Sequence, residues 1–271
     1  MTKFNAAMIQ LNSNDNIADN ISVIQRYLRE AKEAGADFVS LPENAFFLSS
    51  VSKAIIPDPI EALEICKSLA RELGLFLLIG SVHFPDISGK HYNRSVLINN
   101  HGKISAQYDK IHLFDAELKN GEVYRESARI IAGNEAVLVN TPFGKIGMSV
   151  CYDLRFPHLH RTLAQNGADF LSIPAAFTYT TGIAHWHTLL RARAIENGCY
   201  VFAPAQCGVH PGNRRTYGHS LIISPWGEIL AEDSETETGI IIAEIDTDKI
   251  LETRSQLASL GNKSEFILRE Y

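Results

Sequence analysis

Apolar residues recur along this chain in two rhythms, and the switches between them mark out its elements. The run FNAAMIQL over 4–11 is continuous enough for a buried strand. Ile17, Ile21, Ile24, Leu28 and Ala31 follow at spacings of three and four, one face of a helix. AGADFVSLPE then predicts a turn and a second strand ending at Pro42 and Glu43. Ala62, Ile65, Cys66, Leu69 and Leu73 trace a second helix, and Gly74 stands where a helix C′ residue belongs. LFLLIGSV is apolar throughout, as a strand covered on both faces requires.

The second half repeats the alternation. RSVLINNHGKISAQYDK predicts a hairpin turning near 100–102, and AVLVNTPFGKIGMSVCYD predicts two strands joined around 142–144. Pro157 suits the first turn of a helix running to about Asn166. ADFLSIPAAF is another buried strand. An amphipathic helix is expected over 184–197, closed by Gly198, and CYVFAPAQCG, SLIISPWGEILAE and GIIIAEID supply the remaining strands. Strands separated by helices predict an α/β fold with covered sheets. The hairpins exclude a purely parallel sheet, so two mixed sheets with helices outside fit better than a barrel. No linker or repeat divides the 271 residues, and one domain over 1–271 is expected.

Composition narrows the function. The net charge is −6 and no Lys/Arg run stands out, which argues against nucleic acid as a partner. The acidic stretch from Glu228 to Glu237 reads as a solvated hairpin tip. No window approaches a membrane span, and the first residues lack a signal-type apolar core, so a cytoplasmic location is expected. Four cysteines without an export signal favour reduced thiols over a disulfide framework. No glycine-rich phosphate loop is found, and no cofactor is expected.

Three reactive side chains each close an apolar run. Glu43 follows FVSLP, where a buried carboxylate is costly unless it is paired or its pKa is shifted; a structural ion pair is the alternative. Lys110 in YDKIHLFD lies between a strand and an apolar patch, though a lone lysine is usually a surface residue. Cys151 in IGMSVCYDLRFP stands between a strand and a proline-started helix. That setting fits a nucleophile elbow, with the Tyr152 N–H free to face an oxyanion and a helix N-terminus lowering the thiol pKa. A buried structural cysteine is the alternative, and it is the reading taken for Cys66, Cys199 and Cys207. His158/His160 and His185/His187 form two H-x-H pairs, but i and i+2 do not share a helix face, so capping or interface roles are expected rather than metal binding.

Taken together, LPENAF, YDKIHLFD and CYDLRFP, in this order and 67 and 41 residues apart, resemble the nitrilase (carbon–nitrogen hydrolase) superfamily over essentially the whole chain. PAAFTYTTGIAHWHTLLRARAIENGCYVFAPAQCG adds a fourth matching segment. The resemblance implies a four-layer α-β-β-α sandwich, a catalytic triad of Glu43, Lys110 and Cys151, and an orienting second glutamate at Glu126 in YRES. It also implies a homodimer or higher homo-oligomer, paired through the helix after the cysteine and the AHWHTLLRARAIEN helix. YGHSLIISPWGEILAE resembles the Nit branch, and TYGHS and APAQCG look more like deaminated glutathione amidase than ω-amidase. The chain departs from that branch at His158 and His187, where glutamate is usual; His protonation near pH 6 is then expected to weaken or re-register the dimer.

The implied chemistry is hydrolysis of a small carboxamide through a thioester. Glu43 would shuttle the proton, a role that favours a pKa raised toward neutrality by burial. Lys110 and the Tyr152 N–H would hold the oxyanion. The implied substrate is deaminated glutathione, yielding 2-oxoglutarate and Cys-Gly, with 2-oxoglutaramate as the rival and a catalytically silent scaffold dimer as a remoter one. Such substrates carry carboxylates, which Arg155 suits, while Phe177 and Thr178 are expected to line the acyl pocket. His210, Arg214 and Arg215 in GVHPGNRR either reach a distal carboxylate or are solvated.

Overall fold

A computed structural model describes residues 2–50, 54–119, 121–262 and 264–271. Its two large sheets each have a parallel core and antiparallel edges. The first runs in the order Gly239–Asp246, Lys3–Gln10, Phe38–Ser40, Phe76–Pro85, His91–Ile98, Ile104–Asp109, with Ile130–Ile131 also paired to His91–Ile98. The second runs Ile229–Glu232, Leu221–Ile223, Tyr200–Ala203, Phe170–Ser172, Gly144–Met148, Leu138–Thr141. Helices α1 (Ile17–Glu33) and α2 (Ile60–Leu73) cover the outer face of the first sheet, where Ile24, Leu28, Cys66 and Leu69 pack on Ile9, Val39 and Ile79. Helices α3 (Pro157–Gln165) and α4 (Tyr179–Asn197) cover the second, and α5 (Asp248–Gln256) follows the last strand. This is the expected α-β-β-α sandwich.

Local chemistry explains the boundaries. Asn16 caps α1 by accepting from Ala18 N at 3.0 Å, and Gly74 ends α2 in the left-handed conformation, φ +66°. Between the sheets the core is aromatic. Phe38 meets Phe202 at 5.5 Å between centroids, and Phe4 stands edge-on to Phe170 at 5.6 Å. Such pairs add about 0.5–1.5 kcal/mol each beyond the area they bury.

Two expectations change. α4 begins at Tyr179, five residues before the predicted start, and its inward face is not a clean apolar stripe because Arg193 and Asn197 are buried on it. The segment after Glu232 is not a hairpin tip: Ile229–Glu232 and Gly239–Asp246 belong to different sheets, so these residues cross between them. Their backbone is held there by Gln10, whose Nε2 donates to Ser234 O at 2.6 Å and Glu237 O at 2.8 Å.

The sheets approach closely where the parallel strands end. A Cβ at Gly80 would overlap Leu41 O and press on Pro174 Cβ, so only glycine fits. Pro42 precedes Glu43, and Pro174 O accepts the Cys151 N–H at 2.9 Å. The close approach therefore sets a carboxylate from one sheet against a thiol from the other. No described helix is long and apolar enough to cross a membrane.

Candidate active site

Glu43, Lys110 and Cys151 converge at the foot of a cavity of about 480 Å³. All three side chains are buried. Glu43 lies just beyond the Phe38–Ser40 strand, and its carboxylate is fully engaged. Oε1 accepts from Lys110 Nζ at 2.9 Å and Asn93 Nδ2 at 2.9 Å; Oε2 accepts from the Ala176 N–H at 2.8 Å. The Cys151 thiol lies beside this carboxylate, close enough for each to shift the other's pKa.

Lys110 directly follows the Ile104–Asp109 strand. Its ammonium bridges two carboxylates, Glu43 at 2.9 Å and Glu126 at 2.9 and 3.0 Å. Glu126 is fixed in turn by the Phe114 N–H at 2.6 Å and by Asn93 Nδ2 at 3.2 Å. Glu126 thus stands where an orienting residue would.

Cys151 has φ +49°, a left-handed backbone that a non-glycine residue adopts at some cost. Asp153 holds this elbow. Its Oδ2 accepts from the Val150 N–H at 2.9 Å and the Tyr108 hydroxyl at 2.7 Å, while Oδ1 accepts from the His112 N–H at 3.0 Å. Arg193 of α4 donates to Leu154 O at 3.0 and 2.7 Å, clamping the turn from the far side. Asn93 and Asp153 were not among the expected site residues. Their one sequence signal is a polar side chain inside or beside an apolar run.

The electrostatics differ from expectation in two respects. Burial pushes the Glu43 carboxyl up, but the Lys110 charge and the surrounding donors outweigh it and hold the pKa down to about 2. The expected rise toward neutrality is therefore reversed, because burial comes with a buried cation. Burial, and then the Glu43 charge, push the Cys151 thiol well above its ordinary value, against the lowering expected from a helix N-terminus. The turn at Cys151 is a short 3-10 helix, and α3 begins six residues later. At rest the site holds a carboxylate, an ammonium and a neutral thiol.

Glu43 has a folded-state pKa below its ordinary 4.5, so its contribution is complete above about 4.5 and is lost as the pH falls toward about 2. Urea denaturation at pH 6 and pH 3 should show a smaller acid loss for Glu43→Gln than for the parent. Equal losses would count against the low carboxylate pKa.

Tyr152, Arg155, Phe177 and Thr178 all line the cavity above the cluster. Arg155 lies over the Phe177 ring at 5.1 Å and meets His185 Nδ1 at 3.2 Å. The GVHPGNRR residues separate. Arg214 lines the cavity and donates to Ala176 O at 2.7 Å, with its Nε buried and unpartnered. His210 is buried between Ser13 O and the Thr216 hydroxyl, and Arg215 faces outward onto Glu235 and the Tyr179 ring. Among the described residues neither Arg155 nor Arg214 pairs with a carboxylate. The H-x-H pairs split as helix geometry demands: His160 is buried against Ser149 Oγ at 3.3 Å, while His158 and His185 are exposed. His187 contacts Glu232 at 2.9 Å within its own chain.

The family model described as carbon-nitrogen hydrolase matches residues 5–255. The chain belongs to this family. It is 41% identical over 270 residues to deaminated glutathione amidase of Synechocystis sp., covering 97% of this chain and 99% of that one. It is 38% identical over 266 residues to the probable hydrolase nit2 of Schizosaccharomyces pombe, covering 94% and 96%. Among solved structures, the Caenorhabditis elegans NitFhit protein superposes with a TM-score of 0.89 at 36% identity; the match covers 96% of this chain and 65% of that longer one. As a carbon–nitrogen hydrolase of this kind, the chain is an amidase acting on a small amide.

Proposed function

We propose that this carbon–nitrogen hydrolase uses Cys151 as nucleophile, Glu43 as proton shuttle and Lys110 as the cation of the oxyanion site. The single supporting observation is the buried contact of Glu43 with both the thiol and Lys110 at the cavity floor. Ionised Glu43 takes the thiol proton as sulfur attacks the amide carbon, which spares the enzyme a free thiolate at rest. The oxyanion forms beside Lys110 and the Tyr152 N–H. Glu43 then protonates the departing nitrogen, the C–N bond breaks, and a thioester remains. Glu43 next takes a proton from water as its oxygen attacks. The C–S bond breaks, and the proton returns to sulfur while the acid leaves. Glu126 and Asn93 hold Lys110 and Glu43 in place throughout.

The substrate proposed is deaminated glutathione, cleaved to 2-oxoglutarate and Cys-Gly. Arg155 and Arg214 line the cavity without carboxylate partners among the described residues, which supports an anionic substrate. Phe177 and Thr178 would flank its acyl portion, and a volume of about 480 Å³ suits a ligand of that size. A homodimer through α3 and α4 belongs to the same reading, with exposed Ile183 and Ile195 on α4 offering apolar surface. The test is hydrolysis of deaminated glutathione and of 2-oxoglutaramate by purified protein, with Cys151→Ala as control. Faster, Cys151-dependent release of Cys-Gly is expected. Preference for 2-oxoglutaramate, with ammonia release, would make the enzyme an ω-amidase instead.

A further inference from the structure

A second cluster of reactive side chains lies outside the cavity lining. His187 projects from α4, His219 follows the strand Arg214–Tyr217, and Glu232 ends the strand Ile229–Glu232. His187 Nε2 is 2.9 Å from Glu232 Oε1, and His219 Nδ1 is 2.8 Å from the same oxygen. One ligand atom from each residue lies within 4.8 Å of the other two. In the single chain the side chains are 31%, 21% and 35% exposed, which leaves the cluster open on one side.

The backbone beneath these rings is fixed. His219 has φ +54°, a conformation that costs energy for a non-glycine residue, and it turns directly after Gly218 at φ +69°. Its N–H donates to Ser234 O at 3.1 Å, and its carbonyl accepts Trp186 Nε1 at 2.8 Å. Trp186 is fully buried and immediately precedes His187, so this side-chain hydrogen bond anchors the His219 backbone to α4. The Tyr217 ring packs against His219 at 4.5 Å and stands edge-on to His187 at 5.9 Å, which limits both rings.

We propose that His187, His219 and Glu232 form a binding site for a zinc-class divalent cation. Zinc binds imidazole nitrogen and carboxylate oxygen at about 2.0–2.2 Å, which spaces tetrahedral ligand atoms by roughly 3.3–3.5 Å. The two His–Glu distances need to open by only about 0.5 Å to reach that spacing. Each neutral ring then carries its proton on the other nitrogen, exchanged through solvent, and the metal-facing nitrogens become donors to the ion. Two imidazoles favour zinc over magnesium or calcium, and the His2Glu set leaves a fourth position for water. The ion would pin α4 to the strand that carries Arg214, and so brace one wall of the cavity from outside.

The experiment uses tag-free full-length protein carrying Cys151→Ala, so that the active-site thiol does not compete. After chelator treatment and buffer exchange, zinc chloride is titrated calorimetrically and cobalt(II) is followed by its visible absorption. One zinc per chain is expected, with a rise in melting temperature on binding. His187→Ala, His219→Ala and Glu232→Gln should each weaken binding by more than about 100-fold and remove the tetrahedral cobalt bands, since even outer-shell changes cost ~10–100-fold. His101→Ala, at an exposed turn, should bind as the parent does. Circular dichroism melts without metal show whether each variant is folded, and Glu232→Gln keeps the test sound if an alanine variant is not. Zinc affinity within about threefold of the parent in Glu232→Gln, or no uptake at about 100 μM zinc, overturns the proposal.

Discussion

Replacing Lys110 with alanine is expected to lower kcat/KM by at least ~10²-fold and to destabilise the fold by about 3–5 kcal/mol. In the proposed mechanism the kinetic loss comes from removing the cation beside the forming oxyanion. The stability loss has a separate cause. Lys110 is the common partner of Glu43 and Glu126, which both approach its ammonium to within 2.9 Å. Without it, two carboxylates face one another in a buried site with Asn93 as their shared donor. Each then prefers to be protonated in the folded chain, so its folded pKa rises above the unfolded value. The variant's deficit should therefore be smallest near pH 4 and grow as the pH rises. Urea melts from pH 4 to 8 beside steady-state kinetics check both parts. A variant with parental activity, or with a deficit independent of pH, would contradict the role given to Lys110.

Cys151→Ala is expected to behave in the opposite way, losing at least ~10⁴ in rate at nearly unchanged stability. The three hydrogen bonds to the Glu43 carboxylate come from Lys110, Asn93 and the Ala176 N–H, and all of them remain without the thiol. The elbow also survives, because Asp153 and the Pro174 carbonyl bond its backbone rather than the sulfur. Cys66, Cys199 and Cys207 are buried away from the cavity, whereas Cys151 lines it with the Glu43 carboxylate alongside to take its proton, so none of the three offers a substitute nucleophile. A small electrophile such as iodoacetamide should accordingly modify one residue per chain, located by peptide mass spectrometry at Cys151. Turnover by the alanine variant, or modification centred on another cysteine, would remove Cys151 from the mechanism.

The residues differ in how openly the sequence displays them. Glu43, Lys110 and Cys151 each interrupt an apolar stretch, and burying a reactive group is costly enough to be noticed. Asn93 sits in the strand His91–Ile98, where polar and apolar residues mix, and nothing local says that its side chain points between two carboxylates. Asp153 follows Cys151 by two residues and resembles any turn aspartate until Tyr108 and His112, more than 40 residues away, are seen to bond it. The direction of the Glu43 pKa shift is hidden for the same reason. Burial is legible locally, but the cation that reverses its effect is 67 residues distant. The start of α4 is hidden in the sequence because Tyr179 to Gly182 carry no apolar period, and the acidic segment after Glu232 looks like a hairpin tip because its sheet partners are set by topology.

The pairing of Lys3–Gln10 with Gly239–Asp246 has a consequence for the birth of the protein. One side of the first strand stays unpaired until residues 239–246 have left the ribosome. At ~5–20 residues per second, that is on the order of 10–50 s during which an apolar strand edge is exposed in the nascent chain. Chaperone demand should therefore persist until residues near 246 emerge and fall from that point.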